Sequence, residues 1–313
     1  MPEDFAKAPT SRDPRPDWLE ELGPFACFGQ QWTVRTSDPV LSELIADLYR
    51  PLLCPPAQRS AECVRFDVTP CGEGRPGRVE RDGVLSGTRP TPHLLFRHFM
   101  WAVNRLVIGG SVDHVTLHAA AAVMDDVAVM LPAQMEAGKT TLVTGLLDRG
   151  AGYLTDEAVA LSADLEVIGY PKPLSIDAGA WPVLPHHQPQ GDPALLAYHA
   201  GQWQVPPARF TEVHASAPLG LIVFPTYQPG ARTRIERLRP MAALERAFPC
   251  TFPDEEEQPP PAWKVRRLAA AVTSVPSYAL VSADLDEACA AIKGVMQHPP
   301  QDHQATPPGG RGP

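Results

Sequence analysis

The run Ala133-Gln134-Met135-Glu136-Ala137-Gly138-Lys139-Thr140-Thr141 puts a glycine, a lysine and a hydroxyl in direct succession. Holding a phosphate takes backbone N–H donors at a helix N-terminus, a cation that reaches the outer oxygens, and a hydroxyl able to hold Mg2+. Gly138, Lys139 and Thr140 supply these parts in that order. Against the spacing G-x-x-x-x-G-K-[ST], the first position is Ala133, which alanine can fill where the backbone keeps a negative φ. Glu136 places an acid inside the loop, where it repels an anion unless it points outward or meets a cation. The alternative is a plain helix N-terminus with a surface lysine. Only Lys7, Lys139, Lys172, Lys264 and Lys293 occur in the chain, so a lysine at this position is a rarer event than an arginine.

A second chemical cluster, Asp156-Glu157, falls inside the β-prone run 153–161. Paired carboxylates there can orient Mg2+ and accept a hydroxyl proton, whereas the plainer reading is a turn at a strand end. One short helical stretch separates this pair from the loop, while most P-loop NTPases carry the metal-directed aspartate much farther along. No N-K-x-D motif and no S-G-G-Q motif occurs, which argues against a GTPase and an ABC ATPase.

These groups need a strand leading into the loop and a helix leaving it. Residues 127–132 are β-prone and 142–149 suit a helix, giving strand, loop, helix. Residues 115–124 and 127–132, joined by Asp125-Asp126, predict a hairpin. Upstream, 25–35 reads as a strand, and Leu41, Leu44, Ile45 and Leu48 predict a helix within 39–53. Pro- and Gly-rich turns occupy 55–91, and Leu94, Leu95, Phe99, Val103 and Leu106 mark a second helix. Downstream, 220–224 and 233–238 flank Gln228-Pro229-Gly230 as another expected hairpin. Helices follow at 241–248, 265–272 and 284–296, with 253–261 a loop of consecutive acids and prolines. The expected organisation is a mobile leader (1–20), an N-terminal α+β unit (21–110), a phosphate-binding domain (111–297) and a disordered tail (298–313), without an internal repeat.

The chain has 313 residues, with 27 Lys and Arg against 36 Asp and Glu, for a net charge of -9. An acidic balance argues against a nucleic acid partner, since neutralising phosphates needs a basic face. Hydrophobic residues at 44% and charged residues at 20% describe a globular protein rather than a disordered one. The N-terminal residues show no basic segment followed by an apolar one, which predicts no secretory signal and a cytoplasmic location. The most apolar run, 115–133, is broken by Asp125 and Asp126, so no membrane span is expected. Six cysteines without a C-x-x-C pair predict reduced thiols and no zinc site.

In order and spacing, His118, the loop Ala133 to Thr140, and Asp156-Glu157 after Arg149-Gly150 resemble the catalytic domain of HPr kinase/phosphorylase. The likeness is closer to the HPr-kinase-related P-loop kinases, and its motifs lie within about residues 112–175. The resemblance implies an α/β fold with a mixed sheet, of the HPr kinase/PEP carboxykinase-like type, carrying an N-terminal α+β unit. It implies ATP and Mg2+ as cofactors. By position, residues Ala133, Gln134, Met135, Glu136, Ala137, Gly138 and Thr141 cradle the phosphates, with Lys139 on the β and γ groups and Thr140 on the metal. Asp156 would assist the metal, and Glu157 would take the acceptor proton. The family has aspartate at the base position, so the division between the two acids stays open. His118 would be a donor steadying phosphate charge, or a core histidine bonded to a carbonyl.

The family's E-x-R-G segment is absent, and its region reads Gly169-Tyr-Pro-Lys-Pro-Leu-Ser-Ile-Asp177. There Lys172 would neutralise a phosphate or an anionic acceptor and Asp177 would replace the missing acid, unless both are exposed loop residues. Arg232 and Arg234 face either the cleft or solvent. The implied function is an ATP-dependent kinase acting on a hydroxyl of a protein, peptide or small molecule. The alternatives are a nucleotide-binding regulatory module without phosphoryl transfer, and a degenerate relative that binds no nucleotide.

Overall fold

Phe28 (φ 47°) and Gly29 (φ 78°) turn the chain back on itself inside the segment whose composition suggested one strand. Residues 25–35 therefore belong to a hairpin, β1 (Leu22–Cys27) and β2 (Gln30–Thr36), because two consecutive left-handed residues close a two-residue turn. The computed structural model describes residues 17–72, 74–111, 113–134, 137–210, 212–252 and 261–298. The expected tail beyond His298 and the acidic part of the 253–261 loop lie outside them. So do residues 1–16 of the expected leader. Residues 18 and 19 are held, with the Leu19 N–H on Thr36 O at 2.9 Å and Arg35 5.1 Å from the Trp18 ring.

Two compact units divide the chain: residues up to Leu106 with Gln190–Ala200, and Val107–Pro189 with the residues from Gly201 onward. In the first, α1 (Pro39–Leu48) starts where Asp38 accepts the N–H groups of Val40 and Leu41, with proline at the first helical position. It buries Leu41, Leu44, Ile45 and Leu48, the residues whose spacing predicted it. β3 (Val64–Thr69) pairs parallel to β2 across that helix. β4 (Gly77–Arg81) and β5 (Val84–Arg89) then add antiparallel neighbours in the order β1-β2-β3-β4-β5. Residues 55–91 thus hold three strands as well as turns. Proline and glycine concentrate in the linkers, and the strands show only short buried sets, Phe66 and Val68 in β3 and Val79 in β4. α2 (Pro92–Gly109) ends the stretch. Phe25, Trp32, Tyr49, Phe66 and Phe99 meet with ring centroids 5.7 to 6.2 Å apart, a buried aromatic core.

In the second unit, β6 (Val115–Met124) and β7 (Val127–Pro132) form the expected hairpin, Asp125 (φ 49°) and Asp126 (φ 63°) supplying the turn. α3 (Lys139–Leu147) follows β7. β8 (Gly152–Thr155) and β9 (Ala158–Leu161) then both pair with β6, so the single run read at 153–161 is two strands with a break at Asp156-Glu157. β10 (Glu166–Gly169) comes next, and β11 (Leu174–Asp177) leads toward α4 (Pro193–Leu196), which is part of the first unit. β12 (Gln202–Val205) pairs back with β11. The remaining elements are β13 (Ser216–Tyr227), β14 (Arg234–Arg237), α5 (Pro240–Ala247), α6 (Ala262–Ser274), β15 (Ser277–Ser282) and α7 (Leu285–Gln297).

The expected hairpin between β13 and β14 does not form. β15 lies between them, parallel to β13 and antiparallel to β14, a pairing across more than forty residues that no local turn signal reports. β7, β13 and β15 run parallel, and the sheet reads β10-β9-β6-β7-β13-β15-β14. Because β10 also pairs with β13, the strands β10, β9, β6, β7 and β13 form a closed ring of pairing. Ala119, Ala121, Val159, Ile222 and Phe224 share a core with Leu268 and Val272 of α6. α3 packs on α7 closely enough that a Cβ at Gly145 would stand 2.7 Å from Leu285 Cδ1. The fold is mixed α/β. Among the described residues no helix is long and apolar enough to cross a membrane, and all six cysteines are free thiols.

Candidate functional site

β7 ends at Pro132 and α3 begins at Lys139, so the loop 133–138 joins a buried strand to a helix start. Gly138 caps that start in the left-handed region (φ 80°, ψ 15°), which an L side chain adopts only with strain. The first helical bond runs from Leu142 N–H to Gly138 O at 2.9 Å. The N–H groups of Lys139, Thr140 and Thr141 thus have no acceptor within the helix, and with the helix dipole they favour an anion. Ala133 is buried and is not among the residues with positive φ, so its methyl is accommodated without backbone strain. Lys139 is 6% exposed, and its Nζ donates to the carbonyls of Ala133 (2.9 Å) and Gln134 (2.7 Å), closing the loop on itself. Burial lowers its pKa, against the opposing pull of Glu157, Cys250 and Asp156. Gln134 is exposed and Ala137 half-buried; Met135 and Glu136 lie outside the described residues.

One peptide group ties this loop to the acid pair. The carbonyl of His118 accepts the Ala133 N–H at 3.3 Å, and the N–H of Ala119, the other half of the same peptide, donates to Glu157 O at 3.3 Å. β6 therefore sets the spacing between the two halves of the site through its backbone. The break that presents the acids is stabilised locally, Thr155 Oγ1 accepting the N–H groups of Glu157 (3.2 Å) and Ala158 (3.3 Å).

Asp156 is buried and its oxygens are shared out. Oδ1 accepts from Tyr153 OH at 3.2 Å and lies 2.8 Å from Lys172 Nζ; Oδ2 accepts from Ser175 N–H at 3.2 Å and Thr140 Oγ1 at 3.4 Å. Burial, then the charge of Asp156, keeps the Tyr153 phenol protonated well above its usual range. Glu157 is different. Its side chain is one-third exposed, Lys172 Nζ lies 3.8 Å away, and burial, reinforced by Asp156, raises its pKa against the pull of Lys172 and Lys139. A carboxyl that holds its proton more tightly than usual is a better proton acceptor when ionised.

Lys172, expected at a phosphate or an anionic acceptor unless it were an exposed loop residue, is not exposed. It is 1% exposed, paired with Asp156, and donates to Pro173 O at 2.9 Å and Ser175 Oγ at 3.3 Å. The reason lies in how β10 ends: at Gly169 a Cβ would stand 2.5 Å from Leu154 O, so the chain passes directly over β8 and carries Lys172 under the acids. Asp177 sits exposed at the end of β11, accepting from Gln202 Nε2 at 2.9 Å. Arg232 and Arg234 are exposed, and β15 separates β14, which begins at Arg234, from β13. The His118 ring rests 5.8 Å from Phe252, and burial together with Lys139 pushes its pKa down to about 4 against the pull of Asp156. At neutral pH it is an uncharged imidazole that can donate one N–H. Tyr153 and Ser175, which complete the setting of Asp156, carry no motif signal.

Thr140 Oγ1 and Asp156 Oδ2 are oxygen donors of the kind a magnesium ion takes. Two adjacent ligands of an octahedral ion at 2.0–2.1 Å stand about 3 Å apart, close to the 3.4 Å between Thr140 Oγ1 and Asp156 Oδ2. Among the described residues no group of three or more His, Cys, Asp or Glu is placed to hold a metal ion. Beside Gly138 a largely apolar cavity of about 230 Å3 opens between Thr141, Val183, Tyr227 and Leu285.

No family model matches the chain, and no curated protein matches it. Among solved structures, the Hpr(Ser) kinase/phosphatase from Coxiella burnetii is similar at 14% identity and a TM-score of 0.31, over 58% of this chain and 95% of that one.

Proposed function

We propose that the protein is a Mg2+-dependent kinase that transfers the γ-phosphate of ATP to a hydroxyl of a protein, peptide or small-molecule acceptor. The observation that carries this reading is the meeting of Thr140, at the helix start behind the phosphate loop, with Asp156 of the acid pair at 3.4 Å. A bare G-K-[ST] triplet binds nothing; one whose hydroxyl meets a buried carboxylate beside a second, partly exposed one has the parts for phosphoryl transfer.

The N–H groups at the start of α3 receive the β- and γ-phosphates, and Lys139 turns from the loop carbonyls toward their oxygens. Thr140 and Asp156 would hold the metal, which would supply positive charge to the phosphates. Glu157 accepts the acceptor's hydroxyl proton as the new P–O bond forms and ADP leaves. His118 donates its one N–H toward phosphate oxygen. The apolar cavity beside Gly138 receives the nucleoside. The acidic chain and the absence of a basic stripe leave nucleic acid out of the partners proposed.

Transfer of label from γ-labelled ATP to candidate acceptors tests the reading. Lys139→Ala is expected to lower transfer about 100- to 1,000-fold, the usual loss when one donor to the developing charge is removed. Transfer that persists in that variant overturns the assignment. Tight MgATP binding without turnover on any acceptor would select the nucleotide-binding regulatory module instead.

A further inference from the structure

We infer that Lys172 is a built-in second cation: it fixes Asp156 and fills the bridging position between the two carboxylates, so that the site takes one divalent ion and no more. The inference rests on the kinase reading and concerns how that site balances its charge.

Lys172 Nζ lies 2.8 Å from Asp156 Oδ1 and 3.8 Å from Glu157 Oε2, between the acids, at the place where an ion bridging them would have to sit. The ammonium has three protons, and Asp156, Pro173 O and Ser175 Oγ provide three acceptors at 2.8, 2.9 and 3.3 Å. Its backbone is anchored as well, since Tyr153 OH donates to Lys172 O at 2.9 Å while also reaching Asp156. Ser175 closes the arrangement, with its N–H on Asp156 Oδ2 and its hydroxyl donating to the buried Gln204 at 2.8 Å. Such a lysine cannot swing out to greet a substrate without stripping several buried groups of their partners.

The consequence is a division of Asp156 into two edges. The Oδ1 edge is occupied by Lys172 and Tyr153, while Oδ2 accepts from Ser175 N–H and Thr140 Oγ1, which leaves the Thr140 side for the one ion. A further divalent ion on the Oδ1 edge would sit against a fixed ammonium, and like charges at that range repel strongly in a buried site. Kinases that use two ions spend both on the phosphate charge. Here a buried side chain places its positive charge beside the two acids instead. Lys172 is thus a positioning residue, acting through the acids and not on the acceptor.

The test counts manganese, a paramagnetic stand-in for magnesium, bound to the full chain with a non-hydrolysable ATP analogue, by electron paramagnetic resonance. One ion per nucleotide-bound protein is expected. Two ions overturn the inference and leave the kinase reading standing; no nucleotide-dependent ion overturns both. In Lys172→Met, kcat is expected to fall at least about tenfold with KM for ATP within about threefold, and a second ion to bind. Lys172→Arg, which keeps the charge, is expected to keep the count at one. A Lys172→Met protein that binds a single ion and turns over within about threefold of the wild type refutes the inference. Should Lys172→Met fail to fold, the wild-type count decides.

Discussion

Replacing Lys172 by methionine keeps the length of the side chain and removes its charge, which leaves Asp156 as a buried anion without its cation. Both side chains are essentially inaccessible, at 1% and 2% exposure, and stand 2.8 Å apart. Removing one partner of such a pair costs about 3–5 kcal/mol. Asp156 keeps the bonds from Tyr153, Ser175 and Thr140, which sets the expectation at the lower end, about 3 kcal/mol. That is a large part of the roughly 5–15 kcal/mol that stabilises a domain. With a urea slope of about 2 kcal/mol/M, the midpoint should fall by about 1.5 M. Asp156→Asn should cost a similar amount, because it strands the ammonium. The double variant removes both charges and should lose about 1 kcal/mol or less, a coupling of several kcal/mol. Because the chain forms two compact units, the transition is best followed by hydrogen exchange on peptides covering β8 and β9, which report on the second unit. A single variant within about 0.3 M of the wild type, or a double variant as unstable as the two singles combined, would show that the pair contributes nothing of this kind.

Gly138→Ala should lose roughly 1–2 kcal/mol to left-handed strain and weaken MgATP binding, seen by calorimetry; among the described residues the new methyl meets only Tyr227 Cβ at 3.5 Å, so the cost is in the backbone. Glu157→Gln should retain MgATP binding and lose transfer, and the wild-type rate should rise with pH through a value above the ordinary carboxylate range. The same raised pKa has a sign for stability. The folded form binds that proton more tightly, so Glu157 favours folding at acid pH and the benefit is lost as pH climbs through its folded value. Glu157→Gln should therefore melt higher than the wild type at pH 8. For His118, depressed to about 4, the contribution is present above the unfolded value and lost as pH falls toward 4. His118→Gln should flatten the decline in melting temperature between about pH 6.5 and pH 4.

Elements whose residues announce themselves locally were legible from sequence. The period of Leu41, Leu44, Ile45 and Leu48 marks α1, and the adjacent aspartates at 125 and 126 mark the β6–β7 turn. Strands that depend on distant partners were not. β15 wedges between β13 and β14, and β3, β4 and β5 assemble within a stretch punctuated by proline and glycine. The site divides in the same way. Gly138, Lys139, Thr140, Asp156 and Glu157 stand out by type and spacing. Lys172 stands out as one of five lysines, but its burial depends on the crossing of β10 over Leu154 at Gly169, twelve residues past Glu157 in the break between β8 and β9, which is a three-dimensional fact. Tyr153 looked like one more β-prone residue, and only its phenol's two acceptors reveal its role.

The peptide joining His118 to Ala119 bonds to Ala133 of the 133–138 loop on one side and to Glu157 of the acid pair on the other. Deleting one residue from β6 beyond it would slide the two halves past each other by about 3.3 Å and invert the side chains that follow. The Asp125-Asp126 tip lies at the opposite end of the hairpin, beyond the Met124–Val127 pair. A reporter or a second domain grafted into that tip leaves the alignment untouched, which makes it the natural splice point for following this protein in action.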